Sequence, residues 1–139
     1  MPDSALAAVK PYSITLSVAD LNQTAIWYQD KLGFIEVKRK DYPEFSTALV
    51  FLEKNGYRVE LIYDGNSTSG ITRPDPPAHT AAQGISQFAF ETDDLEAVRS
   101  ELEGNGVEIV WQFENADLEA RFLFIRDPEQ NLIQFLERL

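Results

Sequence analysis

The chain repeats itself. Residues 14–37 and 87–110 can be set one above the other so that Asp20 falls on Asp94 and Leu21 on Leu95, 74 positions apart. Gly33 falls on Gly106 once a single residue is dropped, and residues 51–64 lie over 125–138, again at 74. Such a repeat decides architecture before any single element does. Each copy is too small to bury a core alone, so each must cover the other. Both copies read strand, helix, then three strands. The expected class is therefore α+β, with two tandem βαβββ modules forming a curled mixed sheet around a central cleft. Residues 11–63 make the first module and 84–138 the second, within one domain over 1–139; residues 64–83 form a connecting loop.

Local chemistry agrees with each element. Ile14, Leu16 and Val18 alternate with Ser13, Thr15 and Ser17, the period of a half-buried strand. Asp20 suits a helix N-cap, with Gln23 completing a capping box. Leu21, Ala25, Tyr28 and Leu32 share one helical face, and Gly33 supplies the left-handed turn that ends it. Strands are expected at 34–40, 46–53 and 57–63, the last two joined through Asn55-Gly56, a strong hairpin signal. In the second copy, strands are expected at 85–91, 107–113, 120–126 and 131–137. Asp93 or Asp94 caps a helix carrying Leu95, Val98 and Leu102 on its core face. The connector, rich in Gly, Ser, Thr and Pro, reads either as a mobile linker or as a loop covering a site.

Composition removes whole classes of function. A net charge of −11 repels phosphate backbones and anionic membranes, so neither nucleic acid nor a membrane is an expected partner. No apolar run approaches the roughly 20 residues of a membrane helix. The first ten residues lack a secretory pattern, which makes the cytoplasm the expected compartment. There is no cysteine, hence no thiolate chemistry, and the only histidine, His79, reads as an exposed residue of the connector.

Strand alternation says which side chains meet in the cleft. With Ile14, Leu16 and Val18 toward the helix, Ser13, Thr15 and Ser17 face the other way. The same parity brings Arg58, Glu60 and Ile62, then Gln87 and Ala89, then Leu132, Gln134 and Leu136 to that face. Ser13, Glu60, Gln87 and Gln134 are equivalent by the repeat and are expected to point at a common centre. Arg58 needs a partner there, either Glu60 or a ligand anion. Tyr63, Trp111 and Phe113 can stack on a planar ligand or fill core and subunit interfaces, and Arg121 is a further candidate contact.

The run Val18-Ala19-Asp20-Leu21, then Trp27-Tyr28-Gln29-Asp30-Lys31-Leu32-Gly33-Phe34, resembles the V-x-D-L and F-Y-x-x-x-L-G-F pattern of the vicinal oxygen chelate superfamily, which includes glyoxalase I, bleomycin-resistance proteins, epimerases and extradiol dioxygenases. Asp127-Pro128-Glu129-Gln130-Asn131 is similar to its D-P-x-G-N turn. The resemblance covers about residues 11–138 and implies paired βαβββ modules, a homodimer, and four inward side chains that hold a divalent ion in metal-dependent members. Those ligands would be Ser13, Glu60, Gln87 and Gln134. Only Glu60 is anionic, so the set reads as a degenerate metal site with no cofactor, a divalent metal ion being the other reading. An extradiol iron site needs two histidines and a carboxylate, and with His79 the only histidine that activity is not expected. Two functions stand. One is a bleomycin-resistance-like protein that binds a small organic ligand through Arg58, Thr15, Ser17, Tyr63, Trp111 and Arg121. The other is a glyoxalase-like lyase or isomerase acting through an enolate, with Glu60 as metal ligand or catalytic base.

Overall fold

The structure is a computed structural model and describes residues 4–139. Its first module runs β1 (Ser13–Ser17), α1 (Leu21–Leu32), β2 (Ile35–Tyr42), β3 (Thr47–Lys54) and β4 (Tyr57–Asp64). The second runs β5 (Phe88–Glu91), α2 (Leu95–Gly104), β6 (Trp111–Asn115), β7 (Ala120–Arg126) and β8 (Leu132–Arg138). Each module forms its own four-stranded mixed sheet, ordered β1-β4-β3-β2 and β5-β8-β7-β6, with the first strand parallel to the last. The α+β class and the duplicated βαβββ architecture are as the repeat implies; the two sheets stay separate.

Both N-caps form, but the capping box at Asp20 does not close, because the Asp20 amide donates to Glu129 rather than to the Gln23 side chain. Asp20 accepts from the Gln23 amide at 3.0 Å, and Asp94, not Asp93, accepts from the Ala97 amide at 3.0 Å. Gly33 sits at φ 75° and closes α1. Asn55 and Gly56, at φ 48° and 79°, make the tight turn between β3 and β4. Two strands start later than their apolar runs suggest. Residues 107–110 precede β6 because Val107 turns down behind α2: its amide donates to the Leu102 carbonyl and its side chain is buried. Likewise β5 begins only at Phe88.

One core serves both halves. Val18, Tyr28 and Leu61 of the first module join Leu102, Leu123 and Ile133 of the second in a single buried cluster. Leu61 and Leu123 are fully buried, and each contributes about 1.5–3 kcal/mol of transfer free energy. Two long-range contacts bind the modules further. The Tyr28 hydroxyl donates to Asp127 Oδ2 at 2.7 Å, and Glu129 accepts from the amides of Ala19 and Asp20 at 2.7 and 3.2 Å.

The repeat needs one correction. Phe51 pairs with Glu60, whereas Phe124 pairs with Gln134. The second hairpin carries one more turn residue, Pro128-Glu129-Gln130 against Asn55-Gly56, and closes where the Asp127 amide donates to the Asn131 carbonyl. The third strands therefore correspond 73 positions apart, not 74, so that Phe51 matches Phe124 and Lys54 matches Asp127.

The connector is a cover on the second module. Arg126 donates to Asp75 Oδ1 at 2.9 Å and to the Arg73 carbonyl at 2.7 Å, and Arg73 donates to the His79 carbonyl at 3.0 Å. His79 is only 7% exposed, its ring 5.1 Å from that of Phe124. The expectation of an exposed histidine fails because the short 3₁₀ turn Ala78–Ala81 lays this ring against the sheet.

Candidate functional site

Strand alternation gives each module a face turned away from the shared core. In the first, Thr15 and Glu60 are register partners on that face, and the Thr15 hydroxyl donates to Glu60 Oε1 at 2.8 Å. Glu60 is half-buried and therefore held by a neighbour without losing contact with solvent. Arg58 does not pair with Glu60. Its guanidinium donates to Glu53 Oε2 at 2.8 Å and to the Tyr12 hydroxyl, and it lies over the rings of Tyr12 and Phe51 at 5.1 and 5.5 Å. The nearer carboxylate is the one directly across the β3–β4 register.

In the second module the same face is aromatic. Trp111 and Phe113 stack at 4.2 Å between ring centroids, and Phe113 stacks on Phe122 at 4.9 Å. Trp111 is the register partner of Phe124, which in turn partners Gln134. Phe122 and Phe124 are buried, while Trp111, Phe113 and Gln134 remain half-buried.

The other candidates are dispersed. Ser13 is exposed and lines a cavity of about 290 Å³ with Tyr12 and Tyr57. Ser17 lines one of about 340 Å³ with the connector residues 67–72 and Glu129. Gln87 accepts from the Ser86 hydroxyl at 2.6 Å and lines a third space, of about 170 Å³, with Ile14, Leu16 and Arg73. None of these three spaces holds two members of the set Ser13, Glu60, Gln87 and Gln134. Tyr63 and Arg121 lie on the opposite faces of their strands. Tyr63 alternates with Glu60 and shares parity with Val59 and Leu61, and Arg121 shares it with Leu123. Arg121 is held there by Glu114 and Glu137 at 2.9 and 3.2 Å.

Asp127 and Glu129 were not legible as special, although they stand in the turn motif. Asp127 is 2% exposed and accepts from Tyr28, from the amides of Glu129 and Asn131, and from Asn131 Nδ2. Burial raises its carboxyl above the ordinary range, and those hydrogen bonds offset part of the rise. Burial, then the charge of Asp127, holds the Tyr28 phenol well above its usual value. This pair is a structural tie between the modules.

Two tandem βαβββ modules, each with its own four-stranded mixed sheet, define the fold class of this chain. The model of the Glyoxalase/Bleomycin resistance protein/Dioxygenase superfamily matches residues 11–135, and the chain belongs to this family. It is similar to the ethylmalonyl-CoA/methylmalonyl-CoA epimerase of Cereibacter sphaeroides, 24% identical over 70% of this chain and 71% of the relative. It is also similar to YwkD of Bacillus subtilis, 26% identical over 91% of this chain and 95% of the relative. The solved structure of a glyoxalase family protein from Enterococcus faecalis superposes with a TM-score of 0.78, at 20% identity and with 94% of this chain and 99% of that one covered.

Metal-dependent members of the family hold a divalent ion, and the donor set here does not fit one. Among the described residues no three or more His, Cys, Asp or Glu side chains gather as an ion site. Of the four positions the motif implies, Glu60 alone is charged, and one of its oxygens already accepts from Thr15. A single carboxylate with two amides and a hydroxyl offers too little charge to strip water from a divalent cation. No helix is long and apolar enough to cross a membrane among the described residues.

Proposed function

We propose that this chain binds a small organic molecule with a flat apolar part, in the manner of a bleomycin-resistance-type protein, without a tightly held metal ion. The observation that carries the reading is the half-buried Trp111–Phe113 stack on the face shared with Gln134. A planar ligand gains both apolar burial and ring stacking on such a platform. Thr15, Ser17, Arg58 and Glu60 supply polar contacts from the facing surface of a first module. Because the two faces belong to separate sheets, a homodimer that sets the first module of one copy against the second of its partner would complete the cleft. The compartment in this reading is the cytoplasm.

The similarity to an epimerase supports a second reading, a lyase or isomerase with Glu60 as the base. One experiment separates the two. Protein purified without added metal is analysed for bound ions, then titrated with Mg²⁺, Mn²⁺, Ni²⁺ and Zn²⁺, and its thermal midpoint is followed with planar aromatic compounds. The binding reading expects no stoichiometric ion and a midpoint rise that Trp111→Ala removes. Stoichiometric ion binding that disappears in Glu60→Ala would favour the enzyme instead.

A further inference from the structure

A cavity of about 400 Å³ lies between the modules on the helix side, away from both helix-free faces. That volume falls within the roughly 300–1,000 Å³ of small-molecule sites. Phe34, Phe90, Phe135 and Leu102 give it an apolar lining, with the Phe90 ring centroid 5.9 and 5.7 Å from those of Phe34 and Phe135. Lys31 and Lys54 line it from the first module, Glu91 and Glu101 from the second.

The repeat explains why the space is open. Leu102 corresponds to Tyr28, and Lys54 to Asp127. In the filled half, the Tyr28 ring is fully buried and its hydroxyl meets Asp127 at 2.7 Å. In the open half a leucine stands in place of the Tyr28 ring and an ammonium where the carboxylate stood, and Tyr57, Phe90 and Phe135 line the space that remains. The absent pieces are therefore a ring and an anion.

Local charge points the same way. Glu91 is already paired with Arg138 at 2.9 Å. Lys31 donates to the Asn105 carbonyl at 2.6 Å, which leaves its charge unneutralised, and Lys54 has no ion pair among the described residues. The Lys54 ammonium lies against Gly33, 3.1 Å from where a Cβ would stand. Among the described residues, two ammonium groups without an ion pair thus share the lining with one carboxylate without one, Glu101. The net charge of −11 opposes an anion at long range, but a Debye length of about 8 Å at physiological salt leaves the local groups to decide.

We propose that this cavity binds a small aromatic carboxylate, its ring over Leu102 against Phe90 and Phe135 and its carboxylate on Lys54 and Lys31. The probe is phenylacetate, titrated into the full chain by calorimetry, with benzylamine as the charge-reversed control. Phenylacetate is expected to bind at least about tenfold more tightly than benzylamine, and Lys54→Glu to weaken it by about tenfold or more, as loss of a charge-assisted contact does. Leu102→Tyr, which copies the filled half, is expected to abolish binding. Should that variant fail to fold, Lys54→Glu decides. Absence of phenylacetate binding, equal binding of benzylamine, or indifference to Lys54→Glu would overturn the proposal. Loss of phenylacetate in Trp111→Ala would also overturn it, since the probe would then sit on the aromatic face.

Discussion

In the first module the face turned from the helix carries Lys38 and Lys40 on β2, Leu49 and Phe51 on β3, and Glu60 on β4. At the corresponding places the second module carries Trp111 and Phe113, Phe122 and Phe124, and Gln134. One scaffold thus presents a charged surface on one module and a stacked aromatic surface on the other, where His79 of the connector packs against Phe124. The helix sides differ in the same manner: Tyr28 is fully buried and hydrogen-bonded to Asp127, whereas Leu102, though buried in the core, borders a cavity. Duplication supplies the geometry twice, and divergence at matched positions ties the modules together at Tyr28 and Asp127 while a cavity stays open beside Leu102 and Lys54.

The comparison between Asp127 and its counterpart Lys54 carries the largest expected effect. Asp127→Ala strips the acceptor from the buried Tyr28 hydroxyl and from three nitrogen donors. Leaving such groups unpaired costs on the order of 3 kcal/mol or more. Lys54→Ala, on an exposed side chain, is expected to change stability by less than about 0.5 kcal/mol. Urea unfolding of both variants measures the gap. Equal losses would mean that the two hairpins bear on the core alike.

Tyr28→Phe sharpens the same contrast at about 1–1.5 kcal/mol, the usual net worth of one hydrogen bond. It also predicts a pH dependence. The Tyr28 phenol is raised in the folded state, mainly by burial and then by Asp127. The folded chain therefore keeps this proton where the unfolded chain has lost it. Stability from this group is complete below about pH 10 and falls as pH rises through the folded value. Tyr57, raised by burial as well, titrates in the same window in both proteins, so the difference between wild type and Tyr28→Phe isolates Tyr28. The stability gap between them is expected to close as pH climbs beyond 10; a constant gap would put the tyrosine's role in packing alone.

How far the sequence reveals this asymmetry depends on the range of the interaction. The repeat, the N-caps at Asp20 and Asp94 and the Asn55-Gly56 turn follow from neighbours in the chain, and alternation places Thr15 and Glu60 side by side. The same counting from Glu60 sets Tyr63 on the other face, so that assignment was recoverable from periodicity. Contacts spanning the modules were not. Tyr28 meets Asp127 across 99 positions and Ala19 meets Glu129 across 110. Periodicity names the face a residue occupies and not the partner it finds there. His79 lies in a segment with no period at all, and only the path of the connector buries it.

The smallest predicted effect concerns Gln130 and Gly56, the last turn residues of the two hairpins. Both are left-handed, at φ 73° and 79°. Glycine adopts that region freely, whereas a side chain pays a steric penalty there. The D-P-x-G-N pattern has glycine where this chain has Gln130, and among the described residues no side-chain hydrogen bond of Gln130 compensates, since Arg126 donates to its carbonyl, at 2.9 Å. Gln130→Gly is expected to stabilise the fold by roughly 0.5–1 kcal/mol, and Gly56→Ala to destabilise it by a similar amount. Both shifts are readable as changes in the urea midpoint at constant slope. If Gln130→Gly instead lowers stability, the glutamine side chain holds the second hairpin through a contact that the first hairpin lacks, and the asymmetry between the modules extends to their turns.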